Sequence, residues 1–170
     1  METLTKNTNT TSKKTYRKLG FTYLETAEIV VHLNELIANY IVHYHKLRNF
    51  HWNVDGPDFF ELHQEFEDEY NTVKENIDVL AERIRVFGIK PSMTMTEILS
   101  VSEIKEANAA KMSPIEMVTQ LLKDYDILHH KMLNVVNAAL DTGDNVTEQI
   151  ITDFMRALEK RNWMFTSWTK

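Results

Sequence analysis

The chain has 170 residues, a formal charge of −6, 43% hydrophobic residues, four Gly, three Pro and no Cys. The missing thiols exclude a disulfide scaffold, zinc-thiolate sites and thiol catalysis, and the scarcity of chain breakers favours long helices over a β-rich or loop-rich fold. The charge is divided unevenly: residues 1–20 hold Lys6, Lys13, Lys14, Arg17 and Lys18 against Glu2 alone, a balance of +4, which leaves −10 on residues 21–170. The body should attract cations and repel nucleic acid, and the N-terminal segment should do the reverse.

Residues 1–20 are rich in Thr, Asn, Ser and Lys and read as a flexible basic tail ahead of one domain spanning 21–170. They lack the apolar stretch of a secretory signal, and no apolar run approaches the roughly 20 residues that a membrane helix needs. A cytoplasmic location is the expectation. From about residue 24 to 52, Ile29, Leu33, Leu36, Ile37, Tyr40, Tyr44 and Leu47 recur at helical spacing. The stretch 53–57 supplies turn residues. Asp58, with Glu61 three positions on, predicts a capping box for a second helix. That helix carries Phe59, Leu62, Phe66, Tyr70, Val73, Ile77, Leu80, Ile84 and Phe87, with Gly88 as its C-cap.

Residues 88–112 form a long connection, broken by Pro91, with a short helix expected over 95–102. Ser113, Pro114 and Glu116 make a strong helix start. The third long helix carries Ile115, Val118, Leu122, Tyr125, Leu128, Met132, Val135 and Ala139. A turn over 141–145 follows, and Asn145 with Glu148 is the expected cap of a last helix bearing Ile150, Phe154, Leu158 and Phe165. Short first and third loops make antiparallel neighbours. The long second connection can run the length of a bundle and make helices two and three parallel. This is the layout of an all-α, ferritin-like four-helix bundle with one long crossover carrying a short helix.

The second long helix carries two i,i+4 pairs, His63/Glu67 and Asp78/Glu82, each able to converge on one metal ion. On a helical wheel these four fall at about 0°, 40°, 60° and 100°, on a flank of the apolar row. Glu67 and Asp78 stand 11 residues apart, about 16 Å along the axis at 1.5 Å per residue. Ligands of one ion sit about 2 Å from it, so one helix cannot bring both pairs to the same ion. Two copies about a two-fold axis can, and such a dimer would build two sites. His51, at the end of the first helix, can join His63 and Glu67 across the short turn. Two imidazoles with three carboxylates suit Fe, Mn or Zn. The plainer alternatives are a solvated ion-pair face, with Glu82 paired to Arg85.

The run Asn49-Phe-His51-Trp52-Asn53-Val-Asp-Gly56-Pro-Asp-Phe59-Phe-Glu-Leu-His63-Gln-Glu-Phe66-Glu67, together with Asp78-Val-Leu-Ala81-Glu82-Arg83-Ile84, resembles the signature of the Dps family, the mini-ferritins. The similarity in layout extends from about residue 25 to the C-terminus and includes Trp163. The resemblance implies a twelve-subunit shell with ferroxidase sites shared between chains at dimer interfaces. It implies that His51, His63, Glu67, Asp78 and Glu82 are the iron ligands. It further implies oxidation of Fe(II), preferentially by hydrogen peroxide with oxygen as the other oxidant, storage of ferric mineral, and protection from oxidative damage. Trp52 matches an aromatic beside the site; the alternative is plain core packing. Lys-rich tails in this family can bind DNA, so a competing reading is a DNA-compacting, nucleoid-associated protein with incidental iron binding.

Three other features bear on function. Asp126-x-x-His129 is half of a core di-iron motif whose second half is absent, so a conventional ferritin site is not expected and His129 reads as structural. Asp141, Asp144, Glu148 and Asp153 cluster near the third turn, where they could line an acidic pore or form an ordinary solvated turn. His32, His43 and His45 have no partner visible in the sequence.

Overall fold

Three of the helices begin with the same exchange of hydrogen bonds. In the computed structural model, which describes residues 20–91 and 94–170, Thr22 accepts from the Glu25 backbone N–H while the Glu25 carboxylate accepts from the Thr22 N–H at 2.6 Å. Thr94 and Glu97 repeat the device, as do Ser113 and Glu116, the latter pair with Pro114 at the first helical position. Each such box satisfies two otherwise orphaned donors. The elements are α1 (Tyr23–Asn53), α2 (Phe59–Val86), α3 (Met95–Val101), a single 3-10 turn (Ala109–Lys111), α4 (Pro114–Thr142) and α5 (Asn145–Trp168). The described residues are all-α, as expected. The predicted flexible tail lies outside them except for Gly20.

Two caps differ from expectation. Asp58 does precede α2, but its backbone (φ −97°, ψ 22°) is not extended and its side chain makes no capping bond, so the box with Glu61 does not form. The last helix is capped by Asp144 rather than Asn145: the Asp144 carboxylate accepts from the Thr147 N–H at 3.2 Å and from the Thr147 hydroxyl. Gly143, at φ +70°, ends α4 and sets Asp144 in this position. At the end of α2 the cap is Phe87, and Gly88 follows in the left-handed region at φ +79°.

Polar contacts give the topology. Along α1 and α2 they run in reverse order, from His51 with His63 to Tyr40 with Asn76. Along α1 and α4 they do the same, from Lys46 with Asp124 to Glu35 with Lys131. Both α2 and α4 are therefore antiparallel to α1 and parallel to each other, which only a long crossover allows. α5 returns along α2 and α4: Arg161 bonds Glu65 and Glu69 at one end, and Arg83 bonds Thr147 and Asp144 at the other. Leu33, Leu36, Leu47 and Phe50 of α1, Phe66, Leu80 and Ile84 of α2, Leu128, Met132 and Val135 of α4, and Ile151 and Phe165 of α5 are buried together. Each such side chain contributes about 1.5–3 kcal/mol on leaving water. Ile115, expected inside, is 46% exposed; Ile150 packs against the core half-buried, and its neighbour Ile151 is fully buried.

One amide ties the crossover down. Asn39, fully buried in α1, accepts through Oδ1 from the Ser102 hydroxyl and from the N–H groups of Glu103 and Ile104, at 3.0–3.2 Å. Its Nδ2 donates to the Glu35 carbonyl. Ile98 and Ile104 bury their side chains beside it.

The bundle interior also holds charge. Lys46 donates to both oxygens of Asp124 at 2.7–2.8 Å, His43 Nδ1 lies 3.1 Å from Oδ2, and all three residues are buried. Burial pushes the Asp124 carboxyl up, but His43 and Lys46 outweigh it and hold it below its ordinary value. Burial lowers Lys46, against the pull of Asp124. Asp144 behaves like Asp124: burial raises it, and Arg83 and Thr147 more than compensate. A carboxyl that titrates lower in the folded chain contributes stability above its unfolded value, about 3.9, and loses it as pH falls through the folded value. Urea midpoints should therefore drop below about pH 4. In Asp124→Asn the drop should be shallower, and stability at pH 7 should fall by about 3–5 kcal/mol because Lys46 is left buried without a counter-ion.

Candidate metal centre

The turn between α1 and α2 is short, with Gly56 at φ +99°, and it folds the end of α1 back on the start of α2. His51 and His63 meet there face to face, ring centroids 3.8 Å apart and 21° from parallel. Each ring bonds the backbone of the other residue: His51 Nδ1 to the His63 carbonyl and His63 Nδ1 to the His51 carbonyl, both at 2.8 Å. A carbonyl only accepts, so both Nδ1 atoms carry the proton. In the neutral ring Nε2 is then a bare lone pair, the form in which imidazole ligates a metal. Phe59 stacks on the far face of His63 at 5.0 Å, and Phe50 on Phe66 anchors the helices beneath.

Glu67 lies one turn beyond His63, half-buried, and accepts from the Tyr70 hydroxyl at 3.2 Å. Burial, then Glu67 itself, push the Tyr70 phenol up, so it stays a donor at neutral pH. Tyr70 also meets His51 edge to face at 5.5 Å. His51 and His63 thus pair at the α1–α2 end, and Tyr70 links His51 to Glu67.

Asp78 and Glu82 stand exposed three turns and more along α2, on the same outer flank. Arg85 does not pair with Glu82; it donates to the Ile89 carbonyl at 3.2 Å. Among the described residues, no three imidazole or carboxylate groups of one chain converge to hold a metal ion. Trp52 is 59% exposed, which overturns core packing as its role within the chain, and the Arg48 guanidinium lies 4.8 Å over its ring. Phe60, 79% exposed, shares this end of the helix pair.

The other candidates resolve as follows. His129 is half-buried on the α4–α5 surface, 3.4 Å from Glu159, and Asp126 is exposed, so this pair forms no core site. Asp144 is not a pore residue in this chain: it is 1% exposed and held by Arg83 at 2.6 Å. Asp141 and Asp153 are exposed, and Asp153 pairs with Arg156. His43 does have a partner, Asp124, 81 positions away, a pairing no local pattern could reveal. His32 lies 3.4 Å from Glu35.

The Ferritin-like domain matches residues 30–170. The chain is a member of that class of helical bundles. Within it, it belongs to the Dps family. It is 38% identical over 136 residues to the DNA protection during starvation protein of Brevibacillus brevis, covering 80% of this chain and 91% of the relative. It is 36% identical over 141 residues to general stress protein 20U of Bacillus subtilis, covering 83% and 97%. The Dps structure from Vibrio cholerae O1, described as one of the ferritin-like diiron-carboxylate proteins, superposes with a TM-score of 0.85 at 34% identity, over 89% of this chain and 95% of that one. Dps from Staphylococcus aureus superposes with a TM-score of 0.81 at 40% identity, over 85% and 96%.

Proposed function

We propose that this protein stores and detoxifies iron: it oxidises Fe(II) at centres shared between two subunits and keeps the ferric product inside a shell of twelve. The observation that carries the reading is the His51–His63 pair, whose reciprocal backbone bonds occupy both Nδ1 atoms and leave both Nε2 atoms for a metal, with Glu67 one helical turn beyond His63. Such a half-site is underfilled for an iron ion that takes several more ligands. Asp78 and Glu82 are too far along the same rod to complete it, about 16 Å by helical rise. They lie on the same exposed flank, where a two-fold neighbour would bring its own copies within reach.

The chemistry follows from the donor types. Neutral imidazoles give a ferrous ion enough affinity to load, and carboxylate oxygens, hard and anionic, stabilise the ferric state more than the ferrous one. Hydrogen peroxide is the favoured oxidant: one molecule takes one electron from each of two ferrous ions, its O–O bond breaks, and with two protons from solvent it leaves as two waters. Removing both reactants together suppresses hydroxyl-radical formation. Trp52, exposed beside His51, stands where it would intercept stray oxidising equivalents. No helix among the described residues is long and apolar enough to cross a membrane.

A second activity, DNA binding, has two supports: the +4 balance of residues 1–20 and the naming of several relatives as DNA protection proteins. Up to twelve tails on one shell would bind through multivalency, and the binding would fade steeply with salt.

Three measurements test these readings. Under anaerobic Fe(II) loading followed by peroxide or air, His63→Ala with Glu67→Ala should oxidise iron at least about tenfold more slowly than wild type. A double variant as fast as wild type would refute the assigned site. Mixed dimers of a His51→Ala, His63→Ala subunit with an Asp78→Ala, Glu82→Ala subunit should recover one of their two sites, whereas each variant alone recovers none. In gel shifts at two salt concentrations, the full chain should retard DNA at low salt only, and a chain without residues 1–18 at neither.

A further inference from the structure

Tyr70 belongs by spacing to the apolar row of α2, yet it is only half-buried and its polar end is not spent on solvent. It touches one member of the half-site from each helix. Its hydroxyl donates to Glu67 Oε1 on α2, and its ring stands edge-on, at 85°, to His51 of α1. Behind it, Tyr44 of α1 packs at 6.0 Å and 83°, and the Arg48 guanidinium lies 5.4 Å over the Tyr44 ring. Tyr70 is thus gripped on one side by α1 while it reaches Glu67 on the other. The Tyr70 hydroxyl is the one hydrogen-bond partner of the Glu67 carboxylate among the described residues.

We propose that Tyr70 is a positioning residue of the shared metal centre: it occupies Glu67 Oε1 so that Oε2 alone is presented to the metal. The inference rests on the iron-oxidising reading above and adds to it the denticity of one ligand and the residue that sets it. A glutamate on a helix surface has three rotatable side-chain bonds and two equivalent oxygens, so left to itself it binds a cation with one oxygen or both. The hydroxyl removes that freedom. If Tyr70 served packing alone, the ring would suffice and the hydroxyl would be superfluous.

The test uses the assembled full-length protein and Co(II), a divalent probe whose d–d absorption reports coordination, with no oxidant present. Tyr70→Phe keeps the ring and should melt within a few degrees of wild type. It should bind Co(II) about tenfold more weakly by calorimetry, the lower end of what loss of an outer-shell partner costs. The d–d band should change as Glu67 swings to use both oxygens. Glu67→Asp draws the carboxylate back by about one bond, roughly 1.5 Å, out of the hydroxyl's reach. In that background Tyr70→Phe should alter Co(II) affinity by less than about twofold, because the two residues act as one unit. The proposal is overturned if Tyr70→Phe binds Co(II) with wild-type affinity and spectrum, or if its full tenfold loss recurs in Glu67→Asp. Wild-type protein that bound no Co(II) would instead refute the shared centre itself.

Discussion

The exchange of hydrogen bonds between His51 and His63 fixes more than two side chains. Each ring reaches the backbone of the opposite helix, so the pair forms only when α1 and α2 stand in one register across a short turn. The same two bonds choose the tautomer of both imidazoles, and through it the atom each offers outward. Register, ring orientation and tautomer are thus one constraint. The aromatic surroundings hold it: Phe59 lies on the outer face of His63, and Tyr70 stands edge-on to His51.

The bundle interior answers a different question, why chemistry is expected at the margin of this subunit. Four-helix bundles elsewhere place carboxylates and histidines at their centre as cofactor ligands. Here one interior carboxylate, Asp124, already has the Lys46 ammonium and the His43 ring as partners. The cation that balances the buried acid is supplied covalently by α1. The group also stitches α1 to α4, much as Arg83 with Asp144 and Arg161 with Glu65 and Glu69 stitch α2 to α5. Such pairs contribute little net energy against well-packed apolar residues, but they penalise any other register because a slipped helix would strand a charge.

Much of the architecture was legible in the sequence because it rests on local physics. Period-3.6 apolar rows, Pro114 at a helix start and the Ser113–Glu116 pair act within a few residues, and the lengths of the three connections gave the topology. The pairing of His51 with His63 was legible for the same reason, since a five-residue turn leaves two helix ends nowhere else to go. What escaped was non-local. Asp144 reads as turn acid or pore acid until Arg83 arrives from 61 positions away. His43 has no partner until α4 lies beside it, and Tyr70 reads as a core aromatic until its hydroxyl is seen on Glu67. Asp58 shows the opposite failure: a correct pattern whose backbone angles forbid the bond it advertises.

The staple at Asn39 has a bearing on how the chain tolerates change over time. Without it, the segment joining α2 to α4 would close as one long loop. With Ser102, Glu103 and Ile104 fastened to the middle of α1, it closes as two shorter ones, each with a small entropic toll of its own. Insertions or deletions on the α3 side need not disturb the approach to α4, and those on the α4 side need not move α3. One buried amide lets the two halves of the crossover diverge independently in length while the long helices keep their places.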